Sequence, residues 1–174
     1  MGDLSIRLLE AQDAAAYQHL RLRSLAEHPE AFGASVEEEA RTPLEKIEQM
    51  LERALPDNPV FGACLDGELV GIGSLNRYPR QKTKHRAIIS GIYVASEARG
   101  HGAGSAIMDA ILDYGKALPG LETIILAVTV GNESARRIYT SKGFESYSID
   151  RHYFKIDGSY HDIEWMVLFL DDHR

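Results

Sequence analysis

The chain has 174 residues, 44% of them hydrophobic and 26% charged, with a formal net charge of −7 and one cysteine. This length suits a single domain over residues 1–174 with a well-buried core and is short for two. The acidic balance argues against a nucleic-acid partner, because phosphate backbones are gripped mainly by clustered Lys and Arg, and it leans toward small cationic molecules.

Leu4 to Leu8 alternates apolar and polar residues as a half-buried strand does, and an Ala-rich stretch from about Asp13 to Glu27 reads as a helix. Pro29 to Gly33 breaks it. A second helix carries Leu44, Ile47, Leu51 and Ala54 on one face, with Thr42 and Glu45 spaced as a capping box around Pro43. Asn58 to Leu65 and Glu68 to Leu75 are strands joined by an Asp66-Gly67 hairpin turn. Arg86 to Val94 is apolar at most positions and rich in β-branched residues, as a central strand would be.

A helix follows from about Gly102 to Lys116, with Ala103, Ile107, Ala110, Ile111 and Tyr114 on one face and a stop at Pro119-Gly120. Leu121 to Val130 is a strand, Asn132 to Lys142 a helix ended by Gly143, and Phe144 to Tyr153 a strand. Asp157-Gly158 turns the chain into a last strand through Phe169. Hairpins make antiparallel pairs, while the strand, helix and strand over 86–130 require a right-handed parallel crossover. The expected fold class is therefore α/β, a mixed sheet with helices on both faces.

No apolar run approaches the ~20 residues needed to cross a bilayer, and the N-terminus lacks the basic start and apolar stretch of a secretory leader. A cytoplasmic location without a membrane partner is expected. Cys64 has no internal partner and lies in an apolar run, so it reads as a buried, inert thiol. The histidines are scattered, His152, His161 and Asp162 lack a ligand spacing, and no metal is expected.

The segment Arg99-Gly100-His101-Gly102-Ala103-Gly104-Ser105 lies between a strand and an apolar-faced helix. Its glycines allow close approach of a ligand, and the free amides at the helix start offer an anion site. The turn alone is also compatible with a tight loop that binds nothing. The dinucleotide-binding fingerprint fits poorly, since its glycine spacing differs and the acidic residue it needs is matched only by Asn132-Glu133, too far down the chain.

This segment resembles the motif of the GNAT acetyltransferases, which reads Arg or Gln, two residues, Gly, one residue, Gly or Ala; Arg99, Gly102 and Gly104 supply it. A second signature of that family follows in order: the strand Leu126 to Val130, then Asn132, Ala135, Tyr139 and the Gly143-Phe144 pair. The likeness extends in pattern from Leu4 to Phe169. It implies a mostly antiparallel sheet of about seven strands, splayed between the fourth and fifth to admit acetyl-CoA as cosubstrate.

The resemblance further implies that the coenzyme's pyrophosphate rests on Arg99, Gly100, His101, Gly102, Ala103, Gly104 and Ser105, and that its pantetheine arm pairs with the backbone of Ile92, Tyr93 and Val94. Asn132, Ala135 and Tyr139 complete the expected cofactor contacts, and Asn132 also suits a plain helix cap. Arg136, Arg137 and Lys142 are open candidates for the 3′-phosphate. Tyr139 is expected to hydrogen-bond the departing thiolate, and a backbone amide, here most nearly Val94, to serve as oxyanion donor. Relatives often place a carboxylate on the strand before the glycine loop, yet none lies between His85 and Val94. His85 and the run Glu37, Glu38 and Glu39, with Glu38 at its centre, stand as candidates for the base that deprotonates the acceptor.

On this resemblance the chain is expected to be an N-acetyltransferase acting on a small-molecule or peptide amine by direct attack. The rival reading is an acyl-CoA-binding sensor without turnover. The paired last strands leave a homodimer open.

Overall fold

The computed structural model describes residues 2–170, which form seven strands and five α-helices with short 3-10 turns between them. The strands are β1 (Leu4–Leu8), β2 (Val60–Leu65), β3 (Glu68–Arg77), β4 (Arg86–Val94), β5 (Thr123–Thr129), β6 (Glu145–Ile156) and β7 (Ser159–Phe169). They lie in the order β1-β2-β3-β4-β5-β7-β6, antiparallel throughout except for the β4–β5 pair. The helices are α1 (Ala14–Glu27), α2 (Val36–Glu39), α3 (Leu44–Glu52), α4 (Ala103–Ala117) and α5 (Glu133–Ser141). The mixed sheet and its parallel crossover through α4 agree with the sequence.

Apolar side chains fall on both faces of the sheet. On one, Ile107, Met108 and Ile111 of α4 pack with Leu75, Ile89 and Leu126, joined by Tyr139 of α5 and by Phe144. On the other, Leu20 of α1 and Ile47 and Leu51 of α3 cover Val60, Ile72 and Tyr93. Cys64 is buried and unpaired, as its apolar surroundings suggested.

β4 and β5 pair through only Arg86–Thr123, Ala87–Ile124 and Ile88–Ile125, and then part. The cause lies on the opposite edge of β4. Against β3, Tyr93 faces Ile72 and Ser90 faces Ser74, so Gly91 and Ile92 together oppose the single residue Gly73. Gly91 takes φ +67, a left-handed value that costs a glycine little, and such a bulge bends the strand that carries it. Meanwhile β5 stays in continuous register with β7 from Thr123 to Thr129. β4 bends at the bulge while β5 keeps its register with β7, and a wedge opens between them.

The local differences from the sequence reading have physical reasons. α3 starts one residue later than a Thr42 cap requires: Pro43, with φ −61 and ψ 145, takes the N-cap position without a side-chain cap bond. A capping box forms instead at Ser35 and Glu38, at the start of α2. β2 starts at Val60, after Pro59, and β5 is trimmed to Thr123–Thr129. β6 runs on to Ile156, past an irregularity between Asp150 and Phe154 where His152 has φ +56.

Candidate active site

The wedge between β4 and β5 opens into a cleft of about 1600 Å³, lined by Ser90–Val94 of β4, the glycine turn, α5 and residues from β5 to β7. At one end, β4 passes through a 3-10 turn into Gly102, which caps α4 at φ +79. The first helical hydrogen bond is Ala106 N–H to Gly102 O at 2.9 Å. The amides of Ala103, Gly104 and Ser105 therefore lack partners in the helix, no side chain caps them, and no acidic residue stands in the first turn. All three residues line the cleft, so a positive helix end faces open space and suits a pyrophosphate.

Arg99 lines the cleft but folds back. Its Nε donates to Val94 O at 3.2 Å and its Nη2 lies 2.9 Å from His28 Nε2, so it locks the end of β4 beside the anion site. His101, expected among the cofactor contacts, turns its Nδ1 onto the Ala98 and Arg99 carbonyls at 3.2 Å and is not among the cleft-lining residues. Arg136 is held by Glu164 at 2.8 Å and Lys142 by Asp109 at 2.6 Å, so two of the three candidates for the 3′-phosphate already have partners.

Ala95 N–H bonds Val70 O at 2.8 Å on the β3 side. Backbone direction alternates along a strand, so the Val94 N–H and C=O point into the splay, and Arg99 has claimed only the carbonyl. The Tyr93 side chain goes the other way: its hydroxyl donates to Glu27 at 2.7 Å, and burial, reinforced by that carboxylate, pushes its pKa up to about 12. At the start of α5, Asn132 Oδ1 accepts from Ala135 N–H at 3.3 Å, so the capping role is real, and both residues line the cleft.

Tyr139 stands on the inner face of α5, edge-on to Phe144 and 7% exposed. Burial pushes its pKa up to about 12. Its hydroxyl makes no hydrogen bond within the described residues. No buried polar side-chain atom there lacks a partner, so this hydroxyl opens onto the cleft.

The other end of the cleft is assembled from residues far apart in the sequence. There the segment Glu30–Gly33 crosses the splay, tied down by Thr129 Oγ1 donating to Glu30 O at 2.6 Å. Arg21, Phe32 and Glu39 line it from the α1 side, and Tyr153, Phe154 and Trp165 from the β6–β7 hairpin. Ser74, Asn76 and Ser90 form a polar floor, with Asn76 Nδ2 donating to Ser90 Oγ at 3.0 Å and the two serine hydroxyls 3.1 Å apart.

Of the proposed bases His85, Glu37, Glu38 and Glu39, only Glu39 lines this end. Glu38 accepts from Ser35 N–H at 3.0 Å in its capping box, which holds its carboxyl below the usual range, and it does not line the cleft. Glu39 does, bound to Arg21. His85 precedes the closed end of the splay, where Arg86 pairs with Thr123. At about 3.3 Å per residue it lies on the order of 20 Å from the bulge. The polar floor of Ser74, Asn76 and Ser90 carries only neutral groups, while the titratable side chains that line the cleft include His28, Glu30, Glu39 and His161.

Residues 18–144 match the family model described as Acetyltransferase (GNAT) family. The chain is 27% identical over 170 residues to the L-amino acid N-acetyltransferase AaaT of Escherichia coli (strain K12), covering 96% of this chain and 98% of that protein. Among solved structures, an acetyltransferase of the GNAT family from Streptococcus pneumoniae superposes with a TM-score of 0.87 at 22% identity, over 96% of this chain and 99% of that one. The yncA structure from Salmonella typhimurium, described with its cofactor acetyl-CoA, gives a TM-score of 0.81 at 18% identity, over 98% and 95%.

Proposed function

The chain belongs to the GNAT acetyltransferase family and is an N-acetyltransferase, and on that premise we propose that it moves the acetyl group of acetyl-CoA to a primary amine of a small molecule or peptide by direct attack. One observation carries this reading: the unpartnered amides of Ala103, Gly104 and Ser105 open into the same cleft as the free hydroxyl of Tyr139, beside a strand edge left unpaired by the splay.

Acetyl-CoA supplies an activated acyl group; the protein holds, orients and polarises. The amides of 103–105 receive the pyrophosphate, and the β4 edge from Ile92 to Val94 receives the pantetheine arm as an added strand would be received. The Val94 N–H donates to the acetyl oxygen, where negative charge builds as the amine adds; such a donor contributes about 3 kcal/mol in the transition state. The amine nitrogen forms the new N–C bond, the C–S bond breaks, and the amine gives up its proton to water over the Ser74, Asn76 and Ser90 floor.

Tyr139 donates a hydrogen bond to the departing sulfur. Its pKa of about 12 against roughly 8.5 for a simple thiol makes full proton transfer uphill by about 5 kcal/mol. The hydroxyl therefore stabilises the thiolate without surrendering its proton, and the thiolate is protonated from solvent.

Thiol release from acetyl-CoA, measured against a panel of primary amines, tests this reading. Release is expected only with an amine present, and reciprocal-rate lines at varied acetyl-CoA and amine should intersect, as a ternary complex requires. Parallel lines would point to an acyl-enzyme. Binding without release by any amine would favour the sensor reading.

A further inference from the structure

We propose that Arg21 selects an acceptor bearing a carboxylate beside its amine, so that the acceptor is a free α-amino acid with an apolar or aromatic side chain. This rests on the reading of the chain as an N-acetyltransferase whose acyl group lies at the β4 bulge.

Arg21 reaches from α1 into the acceptor end of the cleft, its side chain 17% exposed. Glu39 holds one edge of the guanidinium, with Nε at 2.9 Å and Nη2 at 2.8 Å from the two carboxylate oxygens. The Phe32 ring stacks 5.2 Å from its centre. These contacts fix the plane and leave Nη1, with the second hydrogen of Nη2, free of any partner among the described residues. That free edge points at the bulge: a Cβ built on Gly91 would lie 3.8 Å from Nη1. A planar fork of donors, oriented in advance and mostly out of water, is the arrangement that receives a carboxylate in two parallel hydrogen bonds.

Placement sets the rest of the acceptor. Nη1 sits over Gly91, the residue at which β4 bends, three residues before Val94 on the same strand, so a carboxylate bound there holds the acceptor along the strand that receives the thioester. Phe32, Phe154, Tyr153 and Trp165 line the same end and offer an apolar wall to the amino acid's side chain. A peptide N-terminus carries an amide where this carboxylate would be and leaves the Arg21 fork unsatisfied, which is the kind of mismatch that binding sites reject strongly.

The test compares L-leucine and L-phenylalanine with their carboxamides as acceptors, for the wild type and for Arg21→Met. The wild type should prefer the free acid by at least 30-fold in kcat/KM, and in Arg21→Met the two should come within threefold, with the KM for acetyl-CoA unchanged. Arg21→Lys, which keeps the charge and loses the fork, should lower the preference about tenfold and serves where the Met variant does not fold. A wild-type preference near one, or an acid-to-amide ratio that survives Arg21→Met because both acceptors fall in parallel, overturns the proposal and reduces Arg21–Glu39 to a tie between helices. Acetylation of polyamines or peptides in preference to amino acids also overturns it while leaving the N-acetyltransferase in place. Failure of acetyl-CoA to bind removes both.

Discussion

Gly104→Asp is expected to raise the Kd for acetyl-CoA at least 100-fold while leaving the protein folded and no less stable. Gly104 is the second residue of α4, and a Cβ there would meet Ile138 Cδ1 at 3.5 Å and Val94 Cγ2 at 3.8 Å, ordinary contacts that require no movement. Aspartate in a first helical turn is favoured by the helix dipole, and leaving glycine removes backbone entropy from the unfolded chain; together these are worth about 0.5–1 kcal/mol in favour of the fold. The new carboxylate would nonetheless occupy the amides meant for the pyrophosphate. A unit charge about 5 Å from another at an effective dielectric near 20 costs about 3 kcal/mol, which is more than 100-fold in affinity. Calorimetric titration reads the Kd and urea unfolding the stability. Binding within threefold of the wild type would remove the helix terminus from the account.

Tyr139→Phe should lower kcat by about 10- to 100-fold, the worth of one hydrogen bond to a developing charge, about 1.5–3 kcal/mol. The KM for acetyl-CoA should stay within threefold. Stability should hold, because the hydroxyl bonds no protein group and a phenylalanine ring keeps the edge contact with Phe144. Burial holds the tyrosine neutral below about pH 12, so rate profiles of wild type and variant should run parallel through the accessible alkaline range. If kcat is unaffected, Tyr139 is a packing residue of the α5 stripe.

What could be read in the sequence was local. The glycine turn, the strand before it and the helix after it are contiguous, and the loop's function depends on backbone groups whose positions a few φ angles fix. The acceptor end joins Glu30 to Thr129, 99 residues apart, and Arg21 to the β6–β7 hairpin. Nothing in the pattern around Arg21 separates it from the solvated charges of an ordinary helix, and only packing reveals its free edge.

The misplaced bases have the same origin. Neighbouring residues on a helix are turned by about 100°, so which of Glu37, Glu38 and Glu39 meets the cleft depends on where α2 begins, and Ser35 decides that by claiming Glu38 for its cap. His85 looked close to the site because it adjoins the right strand, but the register of β4 on β5 puts it at the closed end. Thr42 and Glu45 had the spacing of a cap, yet Pro43 took the cap position itself.

The most direct measurement is amide hydrogen exchange of the whole chain with and without saturating acetyl-CoA. Slowed exchange at Ile92–Val94 and at Ala103–Ser105, with no comparable change along the edge strand β6, is the predicted result. Unchanged exchange in those two segments, or protection confined to the β6–β7 hairpin, would contradict the placement of the thioester in the splay and the mechanism built on it.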